Sequence, residues 1–376
     1  MIKRELGSVC SRLSSGKSIR AENINPIGAY PVIGGNGLRG YTDSYNFDGE
    51  CAVIGRQGAA CGNVRYHSGK AYMTEHAVVV CANDENDTRY LSYLLSIQNL
   101  GRLSAQSAQP GISVKTLSKQ EVFLPPLDEQ KRVSQLLGTI DSKINANTKL
   151  NDYLERCCQS LFDDIQNDRT NEAIQLSDVA AVNPKRHLTK GSLARCVGMA
   201  NLSTSGSFPN DWCRKAYSGG MKFMNGDTIL ARITPCLENG KTAYINFLDE
   251  GEVAFGSTEY IVLASKGLLP AEFFYFLARN RAFVSYATNH MNGSSGRQRV
   301  SAQDIEAYRL RMPSSSQAAR FADFARPIME EILTRSLENR RLSSLRDALL
   351  PKLLSGEIDV SKVEIPTPPN NHLCDH

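Results

Sequence analysis

The stretch LPPLDEQKRVSQLLGTIDSKI, residues 124–144, places two prolines directly before a long segment without another proline or an obvious turn. Adjacent prolines end a strand, and the acidic residues Asp128 and Glu129 are favourable in the first turn of a helix. The stretch MPSSSQAARFADFARPIMEEI, residues 312–332, repeats this layout later in the chain. The sequence therefore predicts two long helices, each following a domain.

The chain of 376 residues contains an internal repeat. With a constant offset of 188 residues, Pro125 aligns with Pro313 and Arg132 aligns with Arg320. Further upstream, GECAVIGR at 49–56 aligns with GDTILARI at 226–233 once insertions are allowed. Chance alignment of apolar residues does not explain matched proline and arginine in one register. We therefore predict two copies of one unit.

Both helical segments carry apolar residues at heptad spacing, a pattern typical of helices that pair. The predicted seam consists of Val133, Leu137, Ile140, Ile144, Asn151, Leu154, Leu161, Phe321, Ile328, Ile332, Asn339, Leu342 and Leu349. Asn151 and Asn339 are equivalent in the repeat, and a polar seam residue tends to fix the register of a coiled coil. Pro327 is expected to kink or delay the second helix. We predict an antiparallel pair; two amphipathic helices, each packed on its own domain, are the alternative.

The remaining segments alternate short apolar runs with glycine-containing turns, which predicts strands. These runs are CAVIGRQG, NVRYHSG, KAYMT, HAVVVCA, DTILARI, TAYINF and EYIVLAS. One helix is expected in each domain, at 89–103 and 271–287. The predicted fold class is α+β, with two repeated domains joined by two long helices that form an antiparallel coiled coil. The predicted boundaries are 1–124 for the first domain, 125–168 for the first helix, 169–313 for the second domain, 314–358 for the second helix and 359–376 for a disordered tail.

Composition excludes several classes of protein. No apolar run approaches the ~20 residues that span a bilayer, and the first residues lack the apolar core of a signal peptide, so a cytoplasmic protein without a membrane partner is expected. The ten cysteines contain no C-x-x-C pair and the six histidines no H-E-x-x-H motif, so we expect reduced thiols and no metal site. The net charge of +4 permits nucleic-acid binding without arguing for it.

The sequence contains only weak matches to catalytic and nucleotide-binding motifs. Gly35, Gly37 and Gly40 form G-x-G-x-x-G, but YTDSYNFDGE follows where a nucleotide-binding fold requires a helix. A glycine-rich loop is the preferred interpretation and a nucleotide site the second. Glu75–His76 and Glu259 have no partner arrangement that supports catalysis, so we expect exposed polar residues and no catalytic residue.

Four stretches, YPVIGGNGLRGY, LPPLDEQKRV, GSSGRQRV and LLPKLLSGEIDV, together with the two-domain layout, resemble the specificity subunit of type I restriction-modification systems. The resemblance covers nearly the whole chain, although MPSSSQAAR departs from the usual LPPLxEQ pattern. It implies a non-catalytic subunit with two target recognition domains that bind a bipartite site in double-stranded DNA, with the helices as a spacer. It also implies two methyltransferase subunits that bind S-adenosylmethionine, and restriction subunits that translocate DNA with ATP and Mg²⁺. No cofactor is implied in this chain.

Side chains that can donate to base edges and phosphates cluster in both domains. The candidate DNA-binding residues are Arg56, Gln57, Arg65, Tyr66, His67, Lys70, Arg232, Thr234, Asn239, Lys241, Ser294, Ser295, Arg297, Gln298 and Arg299. For any single residue of this set, we expect a solvent-exposed surface position as often as a contact with DNA. The cluster is the stronger argument.

Three alternatives remain open from the sequence. The chain could be a two-headed scaffold without sequence-specific DNA recognition, or the specificity subunit of a related type II system. It could also be a methyltransferase or nuclease whose motifs are not visible in the sequence. Methyl transfer or cleavage by the isolated chain would favour that last alternative.

Overall fold

The computed structural model describes residues 1–104, 111–294 and 296–363. These residues belong to two compact units. The first contains Met1–Ser142 and the segment that begins at Leu342, and the second contains Lys143–Arg341. Each unit therefore holds one domain and a part of each long helix.

The first unit is built mainly from short strands. They are β1 (Ile2–Glu5), β2 (Cys10–Ser15), β3 (Tyr30–Gly34), β4 (Gly37–Thr42), β5 (Glu50–Gly55), β6 (Val64–Ser68), β7 (Tyr72–Met73), β8 (Ala77–Ala82) and β9 (Glu121–Leu124). The helices are α1 (Thr88–Ser96), α2 (Val114–Ser118) and α3 (Leu127–Asn167), of which α3 continues into the second unit. Short 3-10 helices lie at Leu6–Val9, Ala21–Asn23, Gly58–Ala60, Leu100–Leu103 and, near the end of the described chain, Val360–Lys362.

The second unit is also built from short strands and helices. Its strands are β10 (Ala173–Gln175), β11 (Ala180–Val182), β12 (Leu193–Val197), β13 (Cys213–Ala216), β14 (Lys222–Phe223), β15 (Thr228–Ala231), β16 (Thr242–Tyr244), β17 (Ala254–Gly256), β18 (Tyr260–Ser265) and β19 (Arg309–Arg311). Its helices are α4 (Leu176–Val179), α5 (Ala271–Arg279), α6 (Arg281–Asn289), α7 (Ala302–Glu306) and α8 (Ser315–Leu354), with a 3-10 helix at Met199–Asn201. Helix α8 ends in the first unit.

The sheets of the two units repeat one topology. The order β2–β8–β5–β6 in the first unit corresponds to β11–β18–β15–β16 in the second. The pair β1–β9 corresponds to β10–β19, and β4–β3–β7 corresponds to β13–β12–β17–β14. In this last sheet, β3–β7 and β12–β17 are the parallel pairs. The internal repeat and the α+β class predicted from the sequence are therefore confirmed.

The helix after each central sheet is shorter than predicted. The expected helix 89–103 ends at Ser96, and Asn99 then adopts a left-handed backbone with φ 47°. The expected helix 271–287 is two helices, because the Asn280 side chain accepts hydrogen bonds from the amides of Ala282 and Phe283 and starts a new helix. Asparagine favours both conformations, since its side chain bonds to nearby backbone amides.

Each long helix is continuous. Helix α3 has 41 residues and α8 has 40, so each is roughly 60 Å long at ~1.5 Å per residue. The prediction that Pro327 delays the second helix is wrong, because α8 begins at Ser315, well before the proline. The start is fixed by a reciprocal cap, in which the Ser314 amide donates to Gln317 Oε1 (2.8 Å) and the Gln317 amide donates to Ser314 Oγ (3.3 Å).

The long helices pack on each other and on α5 within the second unit. The Phe162 ring of α3 lies 4.7 Å from Phe273 of α5 and 6.4 Å from Phe321 of α8, measured between ring centroids. Phe273 and Phe321 are 5.4 Å apart. All three rings are fully buried, and burial of one such side chain contributes about 1.5–3 kcal/mol. In this unit each long helix therefore packs on the other helix and also on the domain. The helix pair and the packing on a domain, which the sequence left as alternatives, occur together.

The first unit repeats this packing with different residues. Val133 and Leu137 of α3 lie in one apolar core with Leu91 of α1 and Leu353 of α8. At the edge of this core, Arg346 Nη1 of α8 lies 3.1 Å from Asp141 Oδ1 of α3.

A buried polar layer replaces apolar contacts on the part of the helix pair that belongs to the second unit. Asn147 is 4 % exposed, and its Nδ2 donates to Glu338 Oε2 (2.7 Å) and Asn339 Oδ1 (2.9 Å). Asn151 donates instead to Ser336 Oγ (3.3 Å). As the α3 residue number rises the α8 number falls, so the helices run antiparallel. Because repeat-equivalent residues of an antiparallel pair meet only at its midpoint, Asn339 contacts Asn147 and not the equivalent Asn151.

Burial along the predicted seam is greatest towards the domains. Val133, Leu137, Ile140, Phe321 and Ile332 are buried; the half-buried members are Ile144, Asn151, Leu154, Leu161, Ile328, Asn339, Leu342 and Leu349. Beyond α8, Val360 is buried in the core of the first unit, so packed structure continues past the predicted start of the tail. Residues 364–376 of that tail lie outside the described residues.

Candidate nucleic-acid interface

In each unit an arginine directly follows a central strand: Arg56 follows β5, and Arg232 follows β15. The amide of Ile112 donates to the carbonyl of Arg56 (3.0 Å), and the amide of Val300 donates to the carbonyl of Arg232 (3.0 Å). Ile112 and Val300 are also equivalent in the sequence repeat. In each unit, therefore, a segment distant in sequence, at Ile112 or Val300, bonds to the backbone of the arginine at the strand end.

In the second unit that neighbouring segment is a closed loop. Asn292 and Arg299 exchange backbone hydrogen bonds of 2.9 Å in both directions. The amide of Thr234 donates to the carbonyl of Gln298 (3.0 Å), which attaches the loop to the end of β15. Ser294 and the side chain of Arg297 are exposed on this loop, whereas Ser295 lies outside the described residues.

A bidentate ion pair holds the base of the loop. Arg299 Nε and Nη2 donate to both carboxylate oxygens of Glu259, at 2.8–3.0 Å. Hydrogen bonding from Arg299 lowers the pKa of Glu259, and the same bonds raise the pKa of Arg299. Arg232 adds a further favourable charge interaction with Glu259. The expectation of an exposed polar role for Glu259 is therefore wrong: the carboxylate is half-buried and positions a loop arginine.

We predict that Glu259→Gln loosens this loop at neutral pH. The lowered pKa means that the pair contributes above the ordinary glutamate pKa of about 4.3 and is lost as the pH falls through the lower folded value. Loss of one partly exposed ion pair should speed backbone amide exchange in the peptide that contains Arg299 roughly twofold to fivefold. Hydrogen-exchange mass spectrometry measures this. Glu252→Gln, which removes the partner of Arg195 in the same unit, is the control and should leave that peptide unchanged.

The candidates on β6 in the first unit divide between the two faces of the sheet. Arg65 is opposite Val53 and is exposed, while Tyr66 is opposite Ala52 and points to the other face. There the guanidinium of Arg89 lies 4.9 Å from the Tyr66 ring centroid, and burial raises the pKa of the Tyr66 phenol. Tyr66 therefore packs inside its own unit, and Arg65 is the member of this pair that can reach a ligand.

The remaining candidates differ in accessibility. The His67 ring packs edge-on against Phe47, with 6.3 Å between ring centroids, and its Nε2 lies 3.2 Å from the Gly69 carbonyl oxygen, which accepts a hydrogen bond from the Nε2–H tautomer. Burial lowers the pKa of His67. Lys70 is exposed, with Nζ 4.8 Å from the Tyr45 ring centroid. Gln57 is exposed at the strand end beside Arg56.

In the second unit, two candidates on the turn after β15, Asn239 and Lys241, differ in their contacts. Lys241 Nζ donates to the carbonyl of Met199 (2.8 Å) and is thereby held against the domain. Asn239 is exposed. The structure thus brings together Arg232, Thr234, Gln298 and Arg299, and leaves Asn239 and Lys241 outside this group.

The sequence did not single out Arg39, whose side chain packs over Gly34 at the glycine-rich turn. Its signal was the motif YPVIGGNGLRGY itself, since close approach of other groups to backbone is a common reason for adjacent glycines. In the described part of the chain, no group of three or more His, Cys, Asp or Glu residues is placed to hold a metal ion. The cysteines of that part are free thiols, and none of its helices is long and apolar enough to cross a membrane.

Residues 1–156 match the family model described as type I restriction modification DNA specificity domain. This part of the chain is similar to that family. The matched residues cover the first domain and most of α3, and they contain two of the motifs on which the resemblance rests. The resemblance predicted from the sequence is confirmed.

Relatives and a solved structure extend the similarity. The specificity subunit of the type I restriction enzyme EcoprrI from Escherichia coli is 35% identical over 162 residues, which is 42% of this chain and 40% of that subunit. The MjaIX specificity subunit from Methanocaldococcus jannaschii is 22% identical over 320 residues, covering 73% of this chain and 70% of the relative. A crystal structure of the type I S subunit from M. genitalium shares the fold, with a TM-score of 0.60 and 17% identity over 94% of this chain and 95% of that one.

Proposed function

We propose that the chain is the DNA specificity subunit of a restriction-modification complex, and that it recognises a bipartite site in double-stranded DNA. The observation that carries the proposal is the repeated placement of Arg56 and Arg232 at equivalent strand ends, each framed by a crossing segment. Two equivalent cationic sites on two domains are suited to two half-sites. Each domain contributes its own side chains, so the half-sites can differ in sequence.

The second half of the proposal concerns the helices. Helices α3 and α8 pair antiparallel and are stiff over roughly 60 Å, so they are suited to fix the undefined gap between the half-sites. Their exposed faces are the proposed docking surface for two methyltransferase subunits. Leu150 (40 % exposed) and Tyr153 (64 % exposed) of α3 are apolar residues on such a face.

Chemistry is assigned to the partners. S-adenosylmethionine is proposed to bind the methyltransferase subunits, and ATP with Mg²⁺ the restriction subunits. In this proposal the chain itself holds no cofactor, and it contributes affinity and position by charge and hydrogen bonds alone.

The isolated chain is therefore expected to transfer no methyl group. Purified chain, DNA and labelled S-adenosylmethionine should give no incorporation above a mock purification. Addition of a cognate methyltransferase subunit should give adenine methylation at a bipartite site. Incorporation by the pure chain would contradict the proposal and favour an enzyme.

A further inference from the structure

Strands β3 and β4 form a hairpin with an irregular register. Val32 is opposite Gly40, but the next residue, Ile33, is opposite Leu38. Arg39 is therefore the extra residue of a bulge, without a partner on β3. A bulge re-aims the side chain that it carries, so the direction of Arg39 is set by the backbone.

The tip of this hairpin is docked beside the end of β5. Gly34 is opposite Gly37, so Gly35 and Asn36 form a two-residue turn. A Cβ atom at Gly35 would lie 2.8 Å from the carbonyl oxygen of His76 and 3.5 Å from the amide nitrogen of Arg56. Only glycine permits this approach, and it places the turn next to the arginine of the strand end.

Two further arginines pack against the ends of the turn. Arg39 runs over Gly34, where a Cβ atom would lie 2.8 Å from Arg39 Cδ and 3.3 Å from its Cγ. At the other end, a Cβ atom at Gly37 would collide with the guanidinium of Arg65. Arg39 and Arg65 are both exposed, and Asn36 is exposed between them.

The charge at this turn is not neutralised within the described residues. Arg39, Arg56 and Arg65 form no ion pair there with a carboxylate, unlike Arg299 of the second unit with Glu259. On the segment whose His76 carbonyl accepts from the Arg56 amide, Glu75 Oε1 lies 3.3 Å from His76 Nε2. The turn therefore presents an exposed asparagine and cationic groups that are free to bind an anionic or acceptor-rich ligand.

We infer that Arg39 is a specificity-determining residue that recognises a base edge in the half-site of the first unit, and that Gly34 is its positioning residue. The inference rests on the proposed function and adds a residue to it. Arginine donates two parallel hydrogen bonds to guanine, a geometry that needs a restrained guanidinium. The bulge and the close packing on Gly34 supply that restraint before DNA binds.

The test is methylome sequencing of cells that carry the full chain with its methyltransferase partner. Arg39→Gln should relax one base position, in the half-site of the first unit only, by roughly tenfold to hundredfold in preference. Gly34→Ala keeps the charge but displaces the Arg39 side chain, and it should relax the same position. Arg4→Gln, which removes an exposed arginine on β1, is the matched control and should leave the motif intact.

The outcomes separate two failures. If the wild-type chain directs no bipartite motif, the proposed function is wrong. If the wild-type motif is bipartite and both variants retain every base preference, the inference about Arg39 is wrong while the function stands. A uniform fall in methylation with unchanged base preferences would also overturn it, because that is the signature of a phosphate contact.

Discussion

Exchange of residues 1–124 for the matching domain of a related specificity subunit should change one half of the methylated motif completely and leave the other half as it was. The first unit holds its own sheet and its own strand-end arginine, and the second unit repeats both with different neighbours. Base recognition by each set of side chains should therefore be independent. Methylome sequencing reports both halves in one experiment.

The junction of this exchange must keep the contacts between the domain and α3. The Asp87 amide donates to Gln130 Oε1 (3.0 Å), and Tyr93 Oη donates to Asp141 Oδ2 (2.5 Å). The first bond uses only the backbone amide of residue 87, so a donor domain with Tyr at the position of Tyr93 can preserve both bonds. Exchange of residues 169–313 is the reciprocal control and should change the other half only. A motif altered in both halves by either exchange would contradict independent recognition.

A four-residue insertion after Ala146 should lengthen the undefined gap without changing the bases of either half-site. One helical turn adds about 5.4 Å, and a base pair rises about 3.4 Å, so the gap should grow by one to two base pairs. No recognition residue is changed. The measurement is again the methylated motif in cells that contain the partner subunits.

The polar layer complicates this insertion and suggests its control. Four residues are not a full heptad, so the apolar stripe of α3 on one side of the insertion is rotated about the helix axis relative to the other side. This rotation is expected to strain the hydrogen bonds from Asn147 to Glu338 and Asn339. Seven residues added to both helices, after Ala146 and after Arg341, keep the seam in phase. That variant adds about 10.5 Å and should lengthen the gap by about three base pairs. An active variant with the original gap would show that the helices do not set the spacing.

Local patterns predicted the elements of this fold well, because strands and long helices are encoded by short-range periodicity. The runs CAVIGRQG and EYIVLAS became β5 and β18, and the heptad stripes became α3 and α8. The helix interruptions at Asn99 and Asn280 were missed, because the apolar pattern continues through both positions. The left-handed backbone of Asn99 and the side-chain cap of Asn280 interrupt the helices there.

The candidate interface was less predictable, since its geometry depends on partners far apart in the chain. Arg299 and Glu259 are 40 residues apart, and nothing in GSSGRQRV indicates that this arginine is paired. Tyr66 looked like a candidate because of its neighbours, but strand alternation turns it towards Arg89. Arg39 was overlooked because a bulge, which sequence patterns do not show, directs it to the glycine turn.

The central claim is that this chain alone supplies the bipartite specificity of its complex. The most direct measurement is the methylome of a host without other adenine methyltransferases, expressing the methyltransferase subunit with and without this chain. We predict one motif with two defined halves and an undefined gap, present only when the chain is present. The same motif without the chain, or a motif with one continuous defined block, would contradict the claim.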